Sequence, residues 1–494
     1  DIPSSATFLN VRPLWPIAQV ILMSHLFAGA TVVLDGTTRI EPVDEVFVLE
    51  DASTAVVVPG PRGNYPPVVS EGTGEAKPLN VAERAGIDIP MLTAGAPMAA
   101  NLPARETATL SNGIEVVHYR MEGSPLIHIA AMVTGGANND PRGKEGIYSL
   151  AAEMAWRGAG DMDLPALGRA AKDIGAVVGT FAGTEMSGGH LSVSAEQLES
   201  GAGLLADVLQ RPRFDQSEWD IVKTGILNNL VQRDADQGSV TQRALAEVVF
   251  FPGPDEAEMT MTIESLSNIS LEDVATAFEE MITPKTMVIR SVGDVPLETV
   301  VAALEKQFGS SWQDDDAGIA TVASQKPVFP EAQQVYLVPM PGTAQATIHI
   351  ARSAPGTDDP SYPSVVAVTN LLAIDFTGRL NSVIREQKGY SYGVQGSIWD
   401  WYEGESALTV TIPVQIDATG PALAEAFAGF DSLVVHPITE IEVTRSVNAY
   451  HTGLASLPET AAGFFGAIVG MQQQGIDLDE TIAYAERMTQ LKLE

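Results

Sequence analysis

The sequence predicts an α+β fold of two homologous lobes, each an antiparallel-rich sheet with helices packed on one face. Three observations carry this prediction. Strand-period segments come in turn-linked pairs, helix-period segments come in runs, and one order of elements occurs twice. The doubled order is strand, strand, Asp-Pro turn, long helix. Its matched anchors are His128 followed by Asp140-Pro141, and His349 followed by Asp359-Pro360.

In the first copy, LSNGIEVVHYRM (110–121) sets a Ser-Asn-Gly turn before an alternating strand. PLIHIAAMVTGG (125–136) is the second strand, and NNDPRGKEG (138–146) turns the chain at Asp-Pro. GIYSLAAEMAWRG (146–158) places Ile147, Leu150, Ala151 and Met154 at helical spacing. Further helices are expected near 164–174, 196–210 and 215–233, and strands at 190–195 and 286–294. In the second copy, QQVYLVPM (333–340) and ATIHIARSA (346–354) are strands. GTDDPSYPS (356–364) is the turn, and VVAVTNLLAIDF (365–376) the helix. The expected organisation is a first lobe at 105–312, a linker at 313–330 and a second lobe at 331–494. Residues 41–104, rich in Pro, Gly, Ala and Thr, read as a linker or extended wrap, and residues 1–40 as an apolar helix–strand segment.

Composition limits the function. A chain of 494 residues with 45% hydrophobic content can bury more than one core, about two to four domains at the usual size. Its 63 acidic and 28 basic residues give a net charge of -35, a field that repels phosphate backbones and removes nucleic acid from the expected partners. Such acidity suits either a salty habitat or an extracytoplasmic bacterial compartment, and the latter is favoured over the cytoplasm. Cysteine is absent, which excludes disulfides, thiolate metal sites and a cysteine nucleophile. The seven histidines include no H-E-x-x-H or H-x-x-E-H pair. Residues 14–34 carry no charge and reach the length of a membrane span, but Pro16, Gln19, His25 and Gly29 interrupt them. A helix–strand piece is expected there rather than a span or a signal remnant.

Several stretches resemble the family of pitrilysin, insulin-degrading enzyme and the mitochondrial processing peptidase. They are LSNGIEVV, NNDPRGKEGIYSLAAEMAWRGAG, VLQRPRF and, in the second copy, FTGRLNSVIREQKGYSYGV. The resemblance covers residues 105–494. It implies a zinc peptidase frame whose chemistry sits in H-x-x-E-H on the first long helix, with a further glutamate downstream. On this sequence the first histidine falls at Ser149, the general base at Ala152, the second histidine at Glu153 and the downstream glutamate at Asn229. Every position departs from the pattern. Glu153 alone cannot hold zinc, so it is expected as a solvated or helix-pairing carboxylate, and no cofactor is expected on this chain. Residues 1–40 also faintly resemble a helix–strand element of adenylate-forming ligases. They lack the phosphate loop of those enzymes and carry no functional weight.

The second copy keeps what the first has lost. Arg385 and Tyr392 stand seven apart in VIREQKGYSYGV. In active members of the family, the resemblance implies, an arginine and a tyrosine at this spacing face the zinc from the opposite lobe and bind the substrate backbone. A guanidinium and a phenol are both donors suited to developing oxyanion charge. Arg385 is expected to end a helix, Gly389 to break it and Tyr392 to open a strand. The plainer alternative pairs Arg385 with Glu386 or another surface acid and buries Tyr392 in the core. Arg379 is expected to be structural, and His190 a hydrogen-bonded histidine at a strand start. Trp399, Trp401 and Tyr402 either line a peptide-binding wall or pack a hairpin tip.

The expected function is the non-catalytic, substrate-binding half of a zinc-dependent peptidase. It would complete the site of an H-x-x-E-H partner, either a separate subunit or an upstream half, and wall part of a chamber for unfolded peptide. Zinc is expected in that partner. The alternative is a structural or binding protein of the same fold with no peptidase role. The chain opens on Asp1 without a methionine and closes on QLKLE, where the family continues with a helix end and a closing strand, so further chain is expected at both ends.

Overall fold

The computed structural model describes residues 6–12, 95–250, 260–309, 312, 329, 334–357, 359–374, 376–400 and 405–491. The apolar stretch 14–34, the Pro/Gly-rich segment up to 94, and Trp401 and Tyr402 lie outside the described residues, as does the side chain of Trp399.

Two sheets organise the chain. The first contains β2 (Arg105–Thr109), β3 (Glu115–Arg120), β4 (Leu126–Thr134), β7 (Val177–Ala182), β8 (Met186–Ser194) and β9 (Val288–Gly293). Their order is β2-β3-β9-β4-β8-β7, and all pairings are antiparallel except β3 with β9. A small hairpin, β5 (Gly158–Ala159) with β6 (Met162–Asp163), lies outside this sheet.

Around the sheet run α1 (Ile147–Ala155), α2 (Leu164–Asp173), α3 (Leu198–Gln210), α4 (Gln216–Ala235), α5 (Gln237–Phe250), α6 (Ile263–Asn268), α7 (Leu271–Met281) and α8 (Leu297–Phe308). The pleat of β4 sorts its residues. Ile127, Ile129, Ala131 and Val133 join a core with Leu150 and Met154 of α1, Leu205 of α3, Phe278 of α7 and Leu304 of α8. Ala130 and Met132 face the other way.

The second sheet holds β1 (Ala6–Arg12), β10 (Gln334–Pro339), β11 (Gln345–Pro355), β12 (Gln395–Asp400) and β13 (Glu405–Gln415), in the order β10-β1-β11-β13-β12. β10, β11 and their helix repeat the β3, β4 and α1 arrangement. The slot between β10 and β11 is therefore the one that β9 fills in the first sheet. β9 runs parallel to β3 and antiparallel to β4, whereas β1 runs antiparallel to β10 and parallel to β11. The slot is filled in the opposite sense.

The helices of this part are α9 (Tyr362–Thr369), α10 (Thr419–Val435), α11 (Glu440–Ser456), α12 (Ala461–Gln473) and α13 (Leu478–Thr489). Leu372 and Ala373, in the turn after α9, Leu380, Ile384 and Ala422, Leu423 and Phe427 of α10 close a core over Ile348, Ile350 and Ile412.

Helices on one face describe only what each sheet receives from its own part of the chain. The second face of each sheet is covered by a helix from the other part. Phe464 and Ile468 of α12 pack on Val117, Tyr119 and Val292 of the first sheet, and Phe465 stacks on His128 at 5.5 Å between ring centres. In return α5 packs on β11, where Thr241 bonds His349. Small residues such as Ala130 on the outward pleat leave room for the visiting helix. Among the described residues no single helix is long and apolar enough to cross a membrane. Residues 440–459 and 461–473 pass that test only as a pair bent by 119°, and Phe464 of that pair is buried against the first sheet.

Candidate functional site

The segment aligned with the zinc motif is well ordered by local chemistry. Asp140 of the Asp-Pro turn accepts hydrogen bonds from the backbone N–H of Gly146 at 2.6 Å and of Tyr148 at 3.2 Å, pinning the start of α1. Burial pushes the Asp140 carboxyl up to about 6, against the effect of those two bonds. Gly146 caps the helix at φ +93, a left-handed conformation that glycine adopts at no steric cost.

On α1, Ser149 is exposed and Ala152 is buried. Glu153 is engaged by the Nε of Arg157 at 3.1 Å and the Nε1 of Trp156 at 3.3 Å, and Arg157 reaches on to Glu218 of α4 at 3.6 Å. Asn229 is exposed on α4. A hydroxyl, a methyl, a carboxylate already held by a cation and a carboxamide do not make a zinc ligand set. Among the described residues no group of three or more His, Cys, Asp or Glu side chains is placed to hold a metal.

The FTGRLNSVIREQKGYSYGV stretch presents a different surface. One wide helical turn of the π type, Asn370–Ile374, precedes it and a second, Asn381–Gln387, lies within it. Arg385 lies in the last turn of the second, where Lys388 N–H bonds Val383 C=O at 3.0 Å, and Gly389 at φ +67 ends it. Asn381 then fixes the following loop from within: its Oδ1 accepts Val394 N–H at 2.8 Å and its Nδ2 donates to Val394 C=O at 3.1 Å. Ser391 makes a bridge to Val414 of β13.

The consequence differs from the expected strand opening. Tyr392 sits in a loop between the isolated Ser391 bridge and β12, which begins at Gln395 because Asn381 takes the N–H and C=O of Val394. Nor is the plainer alternative met. Tyr392 is 90% exposed, and among the described residues the Arg385 guanidinium has neither an ion pair nor a hydrogen bond. Instead its carbon lies 5.5 Å from the Tyr392 ring centre and 4.1 Å from that of Phe376. The structure thus brings Arg385 and Tyr392 together and adds Phe376, which the sequence placed at the end of the expected helix 365–376.

Arg379 has the structural role expected of it. It grips Glu442 of α11 through two bonds, at 3.1 and 3.0 Å, and donates to the His436 carbonyl at 2.9 Å. Burial opposes the charge on Glu442, yet Arg379 and the Thr439 N–H and hydroxyl hold it down to about 2. His190 lies inside β8 rather than at a strand start. It packs across Gly179, where a Cβ would come within 2.9 Å of the ring, and has no ring hydrogen bond among the described residues. Burial lowers its basicity.

Comparison with known proteins agrees with this architecture. Residues 268–450 match the family described as the peptidase M16 inactive domain. Subunit 1 of the mitochondrial cytochrome b-c1 complex of Caenorhabditis elegans is 25% identical over 185 residues, a match that spans 37% of this chain and 39% of that protein. Among solved structures, a peptidase M16 inactive domain from Pseudomonas fluorescens superposes with a TM-score of 0.67 at 18% identity, over 79% of this chain and 92% of that one. The periplasmic protease PqqL of Escherichia coli superposes with a TM-score of 0.65 at 15% identity, over 82% of this chain but 45% of that longer one. Residues 268–450 thus match the peptidase M16 inactive-domain family, and the described chain shares the fold of these solved M16-like structures.

Proposed function

We propose that this chain is the non-catalytic, substrate-binding half of a zinc-dependent peptidase, working with a partner that carries H-x-x-E-H. One contrast supports this reading most. Among the described residues the α1 and α4 positions have no ligand set, while half-buried Arg385 and exposed Tyr392 have no hydrogen-bond or ion-pair partner. Zinc in the partner would supply Lewis acidity and a water of lowered pKa. This chain would supply the orientation: Arg385 donates to a backbone carbonyl of an unfolded peptide, and the Tyr392 hydroxyl donates where charge gathers on the scissile oxygen. The superposition on less than half of a longer periplasmic protease supports such a half-chain role, and an extracytoplasmic bacterial compartment with it.

The test is co-expression with an H-x-x-E-H homologue followed by peptide cleavage. Arg385→Ala and Tyr392→Phe should each lower kcat/KM about 10²–10³-fold, the usual loss for one preorganised donor, and zinc should bind only the partner. Unchanged turnover in both variants removes the proposed role.

The cytochrome b-c1 relative favours a second reading, a structural subunit with no peptidase role. That reading is selected if the chain assembles stably with a partner lacking H-x-x-E-H and neither variant affects any peptide.

A further inference from the structure

We propose that Phe376 is a positioning residue of this site: together with Tyr392 it clamps the Arg385 guanidinium, so that its N–H donors are presented to a peptide carbonyl. The proposal rests on the substrate-binding reading and adds a third side chain to it.

Three observations carry it. The guanidinium carbon is closer to the Phe376 ring centre, at 4.1 Å, than to that of Tyr392, at 5.5 Å, so Phe376 makes the tighter of the two stacks. Phe376 is 64% exposed, so its ring is not taken up by the core and stays open to the surface that Arg385 faces. The chain reaches this contact by unusual means, since Phe376 follows one π-type turn and Arg385 sits in another. Irregular turns of that kind cost backbone hydrogen bonding and are kept where they aim side chains.

The chemistry follows from the geometry. An arginine side chain in water samples many rotamers, and ordering it carries an entropic cost. Rings against the faces of a guanidinium occupy its planes and leave its in-plane N–H donors free, the geometry needed to meet a planar acceptor. Stacking therefore reduces the ordering cost that peptide binding would otherwise carry.

The test uses the full chain and a fluorescein-labelled peptide of Gly-Ser-Lys repeats, read by anisotropy. A second measurement follows phenylglyoxal modification of Arg385 by mass spectrometry. Phe376→Leu should weaken binding about three- to tenfold and speed modification of Arg385, while Phe376→Trp should hold both near wild type. Circular dichroism checks that the exposed substitutions leave the fold intact. Wild-type affinity in Phe376→Leu overturns the proposal, whatever the modification rate. Equal losses in the Leu and Trp variants also overturn it, because the ring face would then not matter. Wild-type affinity in Arg385→Ala strikes instead at the parent reading. An unchanged modification rate in Phe376→Leu strikes only at the clamp.

Discussion

His349 shows how a single side chain can tie stability to pH. It is buried, with Nδ1 bonded to the Thr411 hydroxyl and Nε2 to the Thr241 hydroxyl, each at 3.0 Å. Burial lowers its pKa to about 4. The unfolded chain protonates this histidine near 6.5, so acidification favours unfolding. Stability is intact above about pH 6.5 and falls progressively toward pH 4, by about 3 kcal/mol in total. His349→Gln should flatten the loss of Tm between those limits; an unchanged slope would show that the ring does not stay neutral in the fold. Asp140, raised to about 6, acts in the opposite direction, so the variant must be compared with wild type at each pH. At this scale much of the site was legible. Ser149, Ala152, Glu153 and Asn229 could be placed because they stand where a spaced motif requires other residue types. Phe376 and the hydroxyl partners of His349 could not, since contacts between distant segments leave no local pattern.

Among the elements, α1 has its start fixed by Asp140 and Gly146. Its first turn is held by Asp140 and by the left-handed turn at Gly146, where an added Cβ would come within 2.2 Å of Met261. Gly146→Ala combines that overlap with a positive φ and should cost about 1–3 kcal/mol, measured by denaturant unfolding. A cost below a few tenths would mean that the Met261 side chain moves away freely. The opening strands and the first long helix of each copy were legible from their periodicity, as were the helices near 164–174, 196–210 and 215–233; the helices at 237–250, 271–281 and 297–308 and those after 419 were not read. The π-type turns at 370–374 and 381–387 were not, because one widened turn leaves no period to detect. The misplaced strand start at Tyr392 has the same origin. Val394 N–H and C=O are taken by the Asn381 side chain, a bond that removes the residue from the ladder without changing the strand-like composition.

Across the whole molecule, α12 and α5 make each sheet dependent on the other part of the chain. Phe464 is fully buried on the first sheet and meets Tyr119 edge-on at 5.4 Å. Phe464→Ala should cost about 3–5 kcal/mol and expose β3 and β9 to proteolysis, read by limited digestion; a digestion pattern identical to wild type would show that α12 is not the cover. The two-sheet architecture was legible from the doubled order of elements, but the exchange of helices was not, since neither α5 nor α12 differs in pattern from a helix that stays at home. The inserted strand β1 adds a constraint of another kind, on the order in which the chain can assemble. Ala6 pairs with Pro339 and Phe8 with Ile348, so the second sheet includes a strand synthesised more than 300 residues before its partners. Closing so long a loop is slow. Until β1 arrives, the facing edges of β10 and β11 offer unpaired N–H and C=O groups to any extended segment nearby. The ribosome thus releases the donor strand long before its acceptor exists, and the nascent protein must keep that strand from other partners in the meantime.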